Sequence, residues 1–180
     1  MSIKILAFGA SNSRNSINKK LAAYASGLFK DAKVNLVDLN DFDLPIFSID
    51  RENPIPQKAI DFAELIDEAD LLLISLAEHN GSYTSAFKNL FDWISRIPNR
   101  QAFNGKPMFL LSTSTGGRGG ASVLEAAVKR FPFNGGVVLA SMSLPFFEKN
   151  FKDGDGITDP ELLQKLKNLV YETEINLKVS

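Results

Sequence analysis

Short apolar runs alternate along the chain with longer stretches in which apolar residues recur every three or four positions. The runs cover residues 3–8, 34–39, 71–76, 108–111 and 137–139. Their length and continuity predict buried strands. The intervening stretches carry apolar residues at helical spacing: Leu21, Ala25 and Leu28; Ala59, Phe62, Ala63 and Ile66; Phe87, Leu90, Phe91 and Ile94; Leu124, Ala127, Val128 and Phe131; Leu162, Leu166, Leu169 and Val170. The pattern predicts five strands, each followed by a helix.

Strands that are apolar throughout are typical of a parallel sheet covered by helices on both faces. Right-handed crossovers leave few topologies for such a (βα)5 chain, and the order 2-1-3-4-5 is a common one at this size. We therefore expect an α/β flavodoxin-like three-layer sandwich with a five-stranded parallel sheet. No repeat or Pro/Ser-rich linker divides the chain, so residues 1–180 are expected to form a single domain.

Composition excludes several classes of function. The chain has no cysteine, which removes disulfides, thiolate catalysis and Cys-ligated metal centres, so redox chemistry would depend on a bound cofactor. One histidine, His79, excludes a multi-histidine metal site. Twenty basic residues nearly cancel 21 acidic ones, which argues against a nucleic-acid partner. The first apolar run is too short for a signal peptide or a membrane span, so we expect a cytoplasmic protein without a membrane partner.

Three polar loops are predicted to meet at one edge of the sheet. In open parallel sheets, ligands bind beyond the carboxyl ends of the strands, at the point where strand order reverses, here between the first and third strands. The loops at that edge cover residues 9–18, 77–83 and 112–120, and all three are rich in Gly, Ser, Thr or Asn. They are the candidate binding loops.

The loop at 9–18 has the composition of an anion site. Its side-chain donors are Ser11, Ser13, Ser16, Asn18 and the cationic Arg14. The loop leads into a helix, whose first N–H groups and dipole also favour an anion. Residues 1–30 contain five Lys and Arg and no acid, and a cation in a first helical turn costs about 0.3–1 kcal/mol unless an anion offsets it. The alternative is an ordinary helix cap formed by Ser16 or Asn15.

The absence of two common nucleotide-binding motifs limits the kinds of anion that this loop could bind. The sequence contains no GxxxxGK[ST] phosphate loop, and no GxGxxG follows the first strand. Asp38 alone is a weak candidate for holding a ribose. A hydroxyl-lined loop without a magnesium-binding motif suits a monophosphate such as that of FMN.

The stretch AEHNGSYTSAFKNLFDWISRIP at 77–98 resembles the NADPH-dependent FMN reductase family of the flavodoxin-like superfold. The residues that match its pattern are Glu78, Asn80, Gly81, Ser82, Lys88, Asn89, Asp92, Trp93, Ser95 and Arg96, with Ser11, Ser16, Asn18, Leu21 and Ala22 in the first loop. Ala77, His79 and Phe87 depart from it, and the first-loop arginine is displaced by one position to Arg14.

The resemblance implies a set of cofactor-binding residues. The FMN phosphate would be held by Ser11, Ser13, Arg14, Ser16, Ile17 and Asn18, and the isoalloxazine would be lined by Glu78, His79, Asn80, Gly81 and Ser82. Thr115, Gly116, Gly119 and Gly120 would approach the pyrimidine end of the ring. NADPH or NADH would be the electron donor, and a quinone, an azo compound or free flavin the acceptor. Because the cofactor carries the chemistry, no catalytic side chain or metal is predicted.

Several alternatives stay open at this level. A flavodoxin-like electron carrier acting on protein partners would share the fold, although such carriers are usually strongly acidic. A module that has lost FMN would explain the departures at Ala77 and His79. The resemblance also implies a homodimer or homotetramer. Trp93 lies off the main apolar stripe of its helix, so it is either at the edge of the core or an oligomer contact, the second being slightly favoured. The aromatic segments 42–56 and 143–151 would either wall the pocket or pack between subunits.

Overall fold

A computed structural model describes residues 2–179 of the chain. This part of the chain contains the strands β1 (Ile3–Ala10), β2 (Ala32–Val37), β3 (Leu71–Leu76), β4 (Glu78–His79), β5 (Ser82–Tyr83), β6 (Pro107–Thr113), β7 (Val137–Leu144), β8 (Phe151–Lys152) and β9 (Gly156–Ile157). Its helices are α1 (Ile17–Ser26), α2 (Gln57–Glu68), α3 (Ser85–Ile94), α4 (Ala121–Arg130), α5 (Phe147–Asn150) and α6 (Pro160–Val179). Within residues 2–179, no helix combines the length and apolarity needed to cross a membrane.

Five strands form one parallel sheet in the order β2-β1-β3-β6-β7. This confirms the predicted order 2-1-3-4-5, since β4 and β5 form a separate antiparallel hairpin and do not enter the sheet. The strands β8 and β9 form a second small hairpin between α5 and α6. The chain therefore has the predicted flavodoxin-like three-layer sandwich.

Helices cover both faces of the sheet, and the central strands are apolar on both sides for that reason. On one face, Leu6 and Phe8 of β1 pack with α2, α3 and α4. On the other, Ile5 and Ala7 pack with α1 and α6. All six residues of β3 are buried. Full burial of a large apolar side chain contributes roughly 1.5–3 kcal/mol, so the two faces of β1 and β3 hold the layers together.

The edge strands differ from the prediction of five buried strands. The apolar run at 34–39 was expected to be buried, but β2 lies at the edge of the sheet, and Val34 and Leu36 are 38% and 41% exposed. This strand ends at Val37, and Leu39 begins a short 3₁₀ turn whose first residues are capped by Asp38. At the other edge β7 continues to Leu144, five residues beyond the predicted run, because its outer face is solvated and accepts serine.

Trp93 is part of the core, so its expected role as an oligomer contact is wrong. The side chain is 1% exposed in the single chain, and its indole Nε1 donates a hydrogen bond of 2.7 Å to the carbonyl oxygen of Pro45. Phe47 covers the indole edge to face at 5.2 Å. The amide of Asn89 donates to the carbonyls of Leu44 and Pro45. The first half of the 42–56 segment is therefore folded onto α3.

Candidate functional site

The three predicted loops converge on an open cleft of roughly 260 Å³ beyond the carboxyl ends of β1, β3 and β6. The cleft is lined by Ser11, Ser13, Asn15, Ser16, Ile17, Asn18, Ala77, Glu78, His79, Thr113, Ser114 and Thr115. Eight of the fifteen predicted binding residues are in this lining. The other seven, Arg14, Asn80, Gly81, Ser82, Gly116, Gly119 and Gly120, belong to the same loops but do not form the wall of the cleft.

The loop after β1 is shaped by its own serines. The Ser11 hydroxyl accepts a hydrogen bond from the backbone N–H of Ser13 at 3.1 Å. The Ser16 hydroxyl caps α1 by accepting from the N–H of Lys19, also at 3.1 Å. The helix-cap interpretation of Ser16 is therefore correct. The N–H groups of Ile17 and Asn18, in the first helical turn, have no intrahelical acceptor, and both residues line the cleft. The cap and the anion site are compatible.

Gly9 brings the end of β1 directly against the start of α1. A Cβ atom at this position would lie 2.3 Å from the backbone nitrogen of Lys19 and 2.7 Å from its Cα. No larger residue fits without moving the helix. The glycine therefore sets the depth at which the first turn of α1 enters the cleft.

Two lysines that the sequence left without an anion have partners in the fold. The Nζ of Lys19 lies 2.5 Å from a carboxylate oxygen of Asp38, and the Nζ of Lys20 lies 2.6 Å from one of Asp153. The hydrogen bond from Lys19 lowers the pKa of the Asp38 carboxyl below its usual 3.8. The argument that both lysines need a bound anion is therefore wrong. Arg14 is exposed and forms no ion pair with a carboxylate among residues 2–179, so it is the cation that this loop offers to a ligand.

The Asn18 side chain joins the start of α1 to two strands, β3 and β6, instead of facing the solvent. It is 2% exposed, and its Oδ1 accepts hydrogen bonds from the Ser75 hydroxyl at 2.8 Å and from the Thr113 N–H at 3.1 Å. Its Nδ2 donates to the Thr113 carbonyl at 3.1 Å. The start of α1 is thus tied to β3 and β6, and the backbone of Asn18 lies at the cleft. Sequence reasoning missed this role because the partners lie 57 and 95 residues away.

The loop after β3 is a tight hairpin. Glu78 pairs with Tyr83 and His79 with Ser82, and the turn between them is made by Asn80 and Gly81, whose φ angles are 51° and 76°. An Asn-Gly dipeptide with two positive φ angles is the preferred two-residue hairpin turn, so this element could have been predicted from the sequence. Positions 79–82 are exposed, and His79 contributes to the wall of the cleft from the hairpin.

The hairpin is held at its base. The Thr84 hydroxyl donates a hydrogen bond of 2.8 Å to the carbonyl of Ala10 at the end of β1, and it caps α3 by accepting from the N–H of Phe87. Tyr83 stacks on Phe131 with ring centroids 6.0 Å apart. Burial raises the pKa of the Tyr83 phenol to about 12, so the phenol stays neutral. The contacts of Tyr83 and Thr84 therefore fix the base of the hairpin, and the turn at Asn80 and Gly81 extends from this base.

Glu78 connects the second loop to the third. Its Oε2 accepts a hydrogen bond of 3.0 Å from the N–H of Val123, in the first turn of α4. That helix begins at Gly120, which offers no capping side chain, so the carboxylate of Glu78 takes the place of an N-cap. Sequence spacing gave no indication of this contact, since it spans 45 residues.

The glycines after β6 fall into two groups. Gly119 and Gly120 have φ angles of 56° and 75°, and a Cβ on Gly119 would lie 2.4 Å from the Ser143 hydroxyl, so the fold itself requires glycine at 119. Gly116 has no such requirement. Its φ is outside the left-handed region, and a Cβ would meet nothing closer than the Ser114 hydroxyl at 3.9 Å. A glycine that the protein does not need, at the rim of a cleft, fits a ligand that approaches the backbone closely.

A cleft at the switch point of a parallel sheet, with helix N–H groups on one side and a glycine loop on the other, defines a nucleotide-binding protein of flavodoxin-like fold. The model of the family described as NADPH-dependent FMN reductase matches residues 3–149. The chain belongs to this family, which confirms the predicted resemblance. Membership implies oxidoreductase chemistry with FMN as cofactor and a nicotinamide as donor, as expected from the sequence.

Similar proteins include named quinone reductases. The chain is 38% identical over 122 residues to a 2-hydroxy-1,4-benzoquinone reductase from a Burkholderia species, which covers 67% of this chain and 66% of the relative. It is 35% identical over 109 residues to a quinone reductase of Escherichia coli K12, covering 53% of this chain and 57% of that protein. These matches thus span less than two thirds of the relatives' own lengths. In fold, the chain is similar to FerB, a flavoenzyme NAD(P)H:(acceptor) oxidoreductase from Paracoccus denitrificans, with a TM-score of 0.81, 22% identity and coverage of 98% and 97% of the two chains.

The cleft fits FMN in the chemistry of its donors. Hydroxyl groups and unpaired helix N–H groups at Ser11, Ser16 and Ile17 suit a phosphate. Thr115 lines the cleft from the loop after β6, and the neighbouring Gly116 has no side chain to obstruct a flat ring. The residue assignments for the cofactor stay predictions.

Proposed function

We propose that the protein is an FMN-dependent NAD(P)H oxidoreductase whose acceptor is a small molecule, with quinones first among the candidates. A bound FMN would supply the hydride and electron transfer between the nicotinamide and the acceptor. The observation that carries the proposal is the meeting of all three loops at one cleft, whose wall combines the serine hydroxyls of the first loop with His79 of the second and Thr115 of the third. The names of the similar reductases support quinones as acceptors.

In this proposal the phosphate is held mainly by the first loop. The N–H groups of Ile17 and Asn18 point their partial positive charge into the cleft, and the hydroxyls of Ser11, Ser13 and Ser16 add neutral donors. Arg14 reaches the phosphate from the rim. The carboxylate in the lining of the cleft, Glu78, accepts a hydrogen bond from the N–H of Val123.

The hairpin and the loop after β6 would hold the flavin ring between them. His79 would contact one edge of the ring, and Thr115 and Gly116 would offer backbone groups to the pyrimidine edge. Asn80, Gly81 and Ser82 form the exposed side of the hairpin, next to a cleft that is open to solvent. One face of the ring would stay accessible, so the nicotinamide and the acceptor would use the same face in turn without an obligatory acid or base.

The proposal also covers the oligomeric state of the protein and its cellular compartment. Three large apolar side chains, Ile46, Ile49 and Phe133, are 82%, 72% and 77% exposed, which supports a homodimer or homotetramer that covers them. The net charge of the chain is close to zero, which supports the proposal that the protein binds neither nucleic acids nor membrane surfaces. The nicotinamide donor and the absence of cysteine support the cytoplasm.

The deciding experiment is the visible absorption of the protein reconstituted with FMN and titrated with NADPH or NADH without oxygen. A bound flavin band that is bleached by the nicotinamide, and restored by a quinone, is the expected result. A bound flavin that neither nicotinamide reduces would favour an electron carrier instead. A protein that binds no FMN would overturn the proposal.

A further inference from the structure

Phe146, in the turn after β7, combines a strained backbone with an exposed ring. Its φ and ψ are 45° and 61°, a left-handed conformation that bulky residues rarely adopt. The side chain is 49% exposed, whereas that of the adjacent Phe147 is 5% exposed. Burial of the ring therefore offsets little of the cost of this conformation. The contacts of the residue must account for it.

The N–H groups of this turn bond to the loop after β6, whereas the carbonyl of Phe146 accepts the N–H groups of Lys149 and Asn150 in α5. The N–H of Phe146 donates a hydrogen bond of 3.0 Å to the carbonyl of Gly116, and the N–H of Phe147 donates one of 3.0 Å to the carbonyl of Ser114. These two bonds grip the loop on either side of Thr115. The turn after β7 thus determines the position of a residue that lines the cleft.

The ring adds a third contact to the same loop. A Cβ on Gly117 would lie 2.7 Å from the ring atom Cζ of Phe146 and 3.2 Å from Cε2, so the ring rests directly on the backbone at that glycine. The φ of Gly117 is outside the left-handed region, and the close contacts found for its Cβ are all with Phe146. The ring of Phe146 therefore leaves no room for a side chain at position 117. In turn, the contacts with this loop account for the left-handed backbone conformation of Phe146.

We propose that Phe146 is a positioning residue for the cofactor, which acts by clamping the loop 114–117 in the shape that receives FMN. This inference rests on the proposed function for its ligand. The clamp consists of the Phe146 ring on Gly117 and the two backbone bonds to Ser114 and Gly116. It orders Thr115 and Gly116 before the cofactor arrives, so less conformational freedom is lost on binding.

Two substitutions separate the ring from the backbone strain. Phe146→Ala removes the ring and keeps a Cβ in the left-handed region, whereas Phe146→Gly removes both the ring and the strain. We expect both variants to bind FMN about tenfold more weakly than the wild type, measured by quenching of flavin fluorescence. The cofactor-free Phe146→Gly protein should melt at a higher temperature than Phe146→Ala. Phe146→Tyr keeps the clamp and is the matched control, with unchanged affinity.

Gly117→Ala tests the partner of the ring. In the wild-type background the new methyl group displaces the ring and should weaken FMN binding, again by about tenfold. In the Phe146→Gly background the space is empty, and the same substitution should have little further effect. Such non-additivity is the signature of a direct contact. Effects that multiply in the double variant would contradict the clamp.

Hydrogen exchange in the cofactor-free protein provides a readout that does not depend on FMN. Amides of residues 114–118 should exchange faster in Phe146→Ala and Phe146→Gly than in the wild type, with the rest of the sheet unchanged. Unchanged exchange and unchanged FMN affinity in both variants would overturn the inference while leaving the proposed function intact. A wild-type protein that binds no FMN, but whose loop still loosens in the variants, would overturn the proposed function and the ligand, and retain only the clamp.

Discussion

The loop after β1 and the loop after β6 form opposite sides of the same cleft but are held in different ways. The first is held by its own side chains: Ser11 and Ser16 bond to the loop backbone, and Asn18 reaches β3 and β6. In the second, the Ser112 hydroxyl donates to the Gly119 carbonyl, and the loop is also held from outside, by Ser143 below Gly119 and by the turn that contains Phe146. Removing a side chain that holds the first loop, above all Asn18, should therefore affect folding, whereas a change at Gly116 in the second loop should affect mainly binding.

The largest effect is expected from Asn18→Leu. The substitution keeps the volume and removes an amide that satisfies the Ser75 hydroxyl and both backbone groups of Thr113 in a buried place. Each unsatisfied buried polar group costs about 1–3 kcal/mol, so we expect a loss of about 3 kcal/mol or more in the free energy of unfolding. Urea unfolding of the cofactor-free protein measures it. A loss below 1 kcal/mol would mean that the first loop is not held through Asn18.

Ser16→Asp should separate binding from stability in the same loop. Aspartate caps a helix as well as serine does, so the thermal midpoint of the cofactor-free protein should stay the same. The new charge would face the FMN phosphate, and like charges about 4 Å apart repel by about 4 kcal/mol near a protein surface. We expect affinity to fall at least roughly 100-fold by fluorescence titration. Ser16→Asn, neutral and equally able to cap, is the control, and an unchanged affinity in Ser16→Asp would remove the phosphate site from this loop.

Gly116→Ala and Gly119→Ala should behave in opposite ways. At 116 the backbone accepts alanine, so stability should stay equal or rise by about 0.4–1 kcal/mol, while the methyl group enters the space for the ring and lowers FMN affinity about tenfold. At 119 the positive φ and the contact with Ser143 predict a loss of stability of about 1–3 kcal/mol. Melting curves with and without FMN compare the two. Equal behaviour of the two variants would contradict the distinction between them.

The smallest effect is expected from Lys19→Met. The partly exposed ion pair with Asp38 contributes about 0.5 kcal/mol, and the hydrogen bond from Lys19 lowers the pKa of Asp38 in the folded state. A lowered pKa stabilises the fold above the unfolded value near 3.8, and this contribution is lost as the pH falls through the folded value. The difference between variant and wild type should therefore be present at pH 7 and pH 5 and be lost on acidification below the ordinary aspartate pKa of 3.8. A difference that grows on acidification would have the wrong sign.

Much of the fold and the location of the site could be predicted from the sequence because they depend on local patterns. The apolar run at 71–76 matches β3 at both ends, and the Gly, Ser and Asn clusters mark the loops that meet at the cleft. The hairpin at Asn80 and Gly81 was equally predictable, since its turn needs only two adjacent residues with positive φ.

The contacts that decide individual roles were not predictable in this way, because they join residues far apart in the chain. The Glu78 carboxylate was assigned to the flavin ring by resemblance, and the fold adds a hydrogen bond to the start of α4. The charge of Lys19 indicated an anionic ligand until Asp38 was found beside it. The position of Trp93 on its helix indicated an interface until Pro45 and Phe47 were found over it.

The sequence by itself determined the order of strands and helices, the three loops and the family to which the chain belongs. Apolar periodicity and turn residues act within a few positions, and a parallel sheet with right-handed crossovers then has few arrangements left. Only the tertiary structure decided that Asn18 binds Thr113 and that Phe146 rests on Gly117. Such contacts form between residues that are far apart in the chain and that folding brings together. No local sequence pattern at one residue identifies its partner.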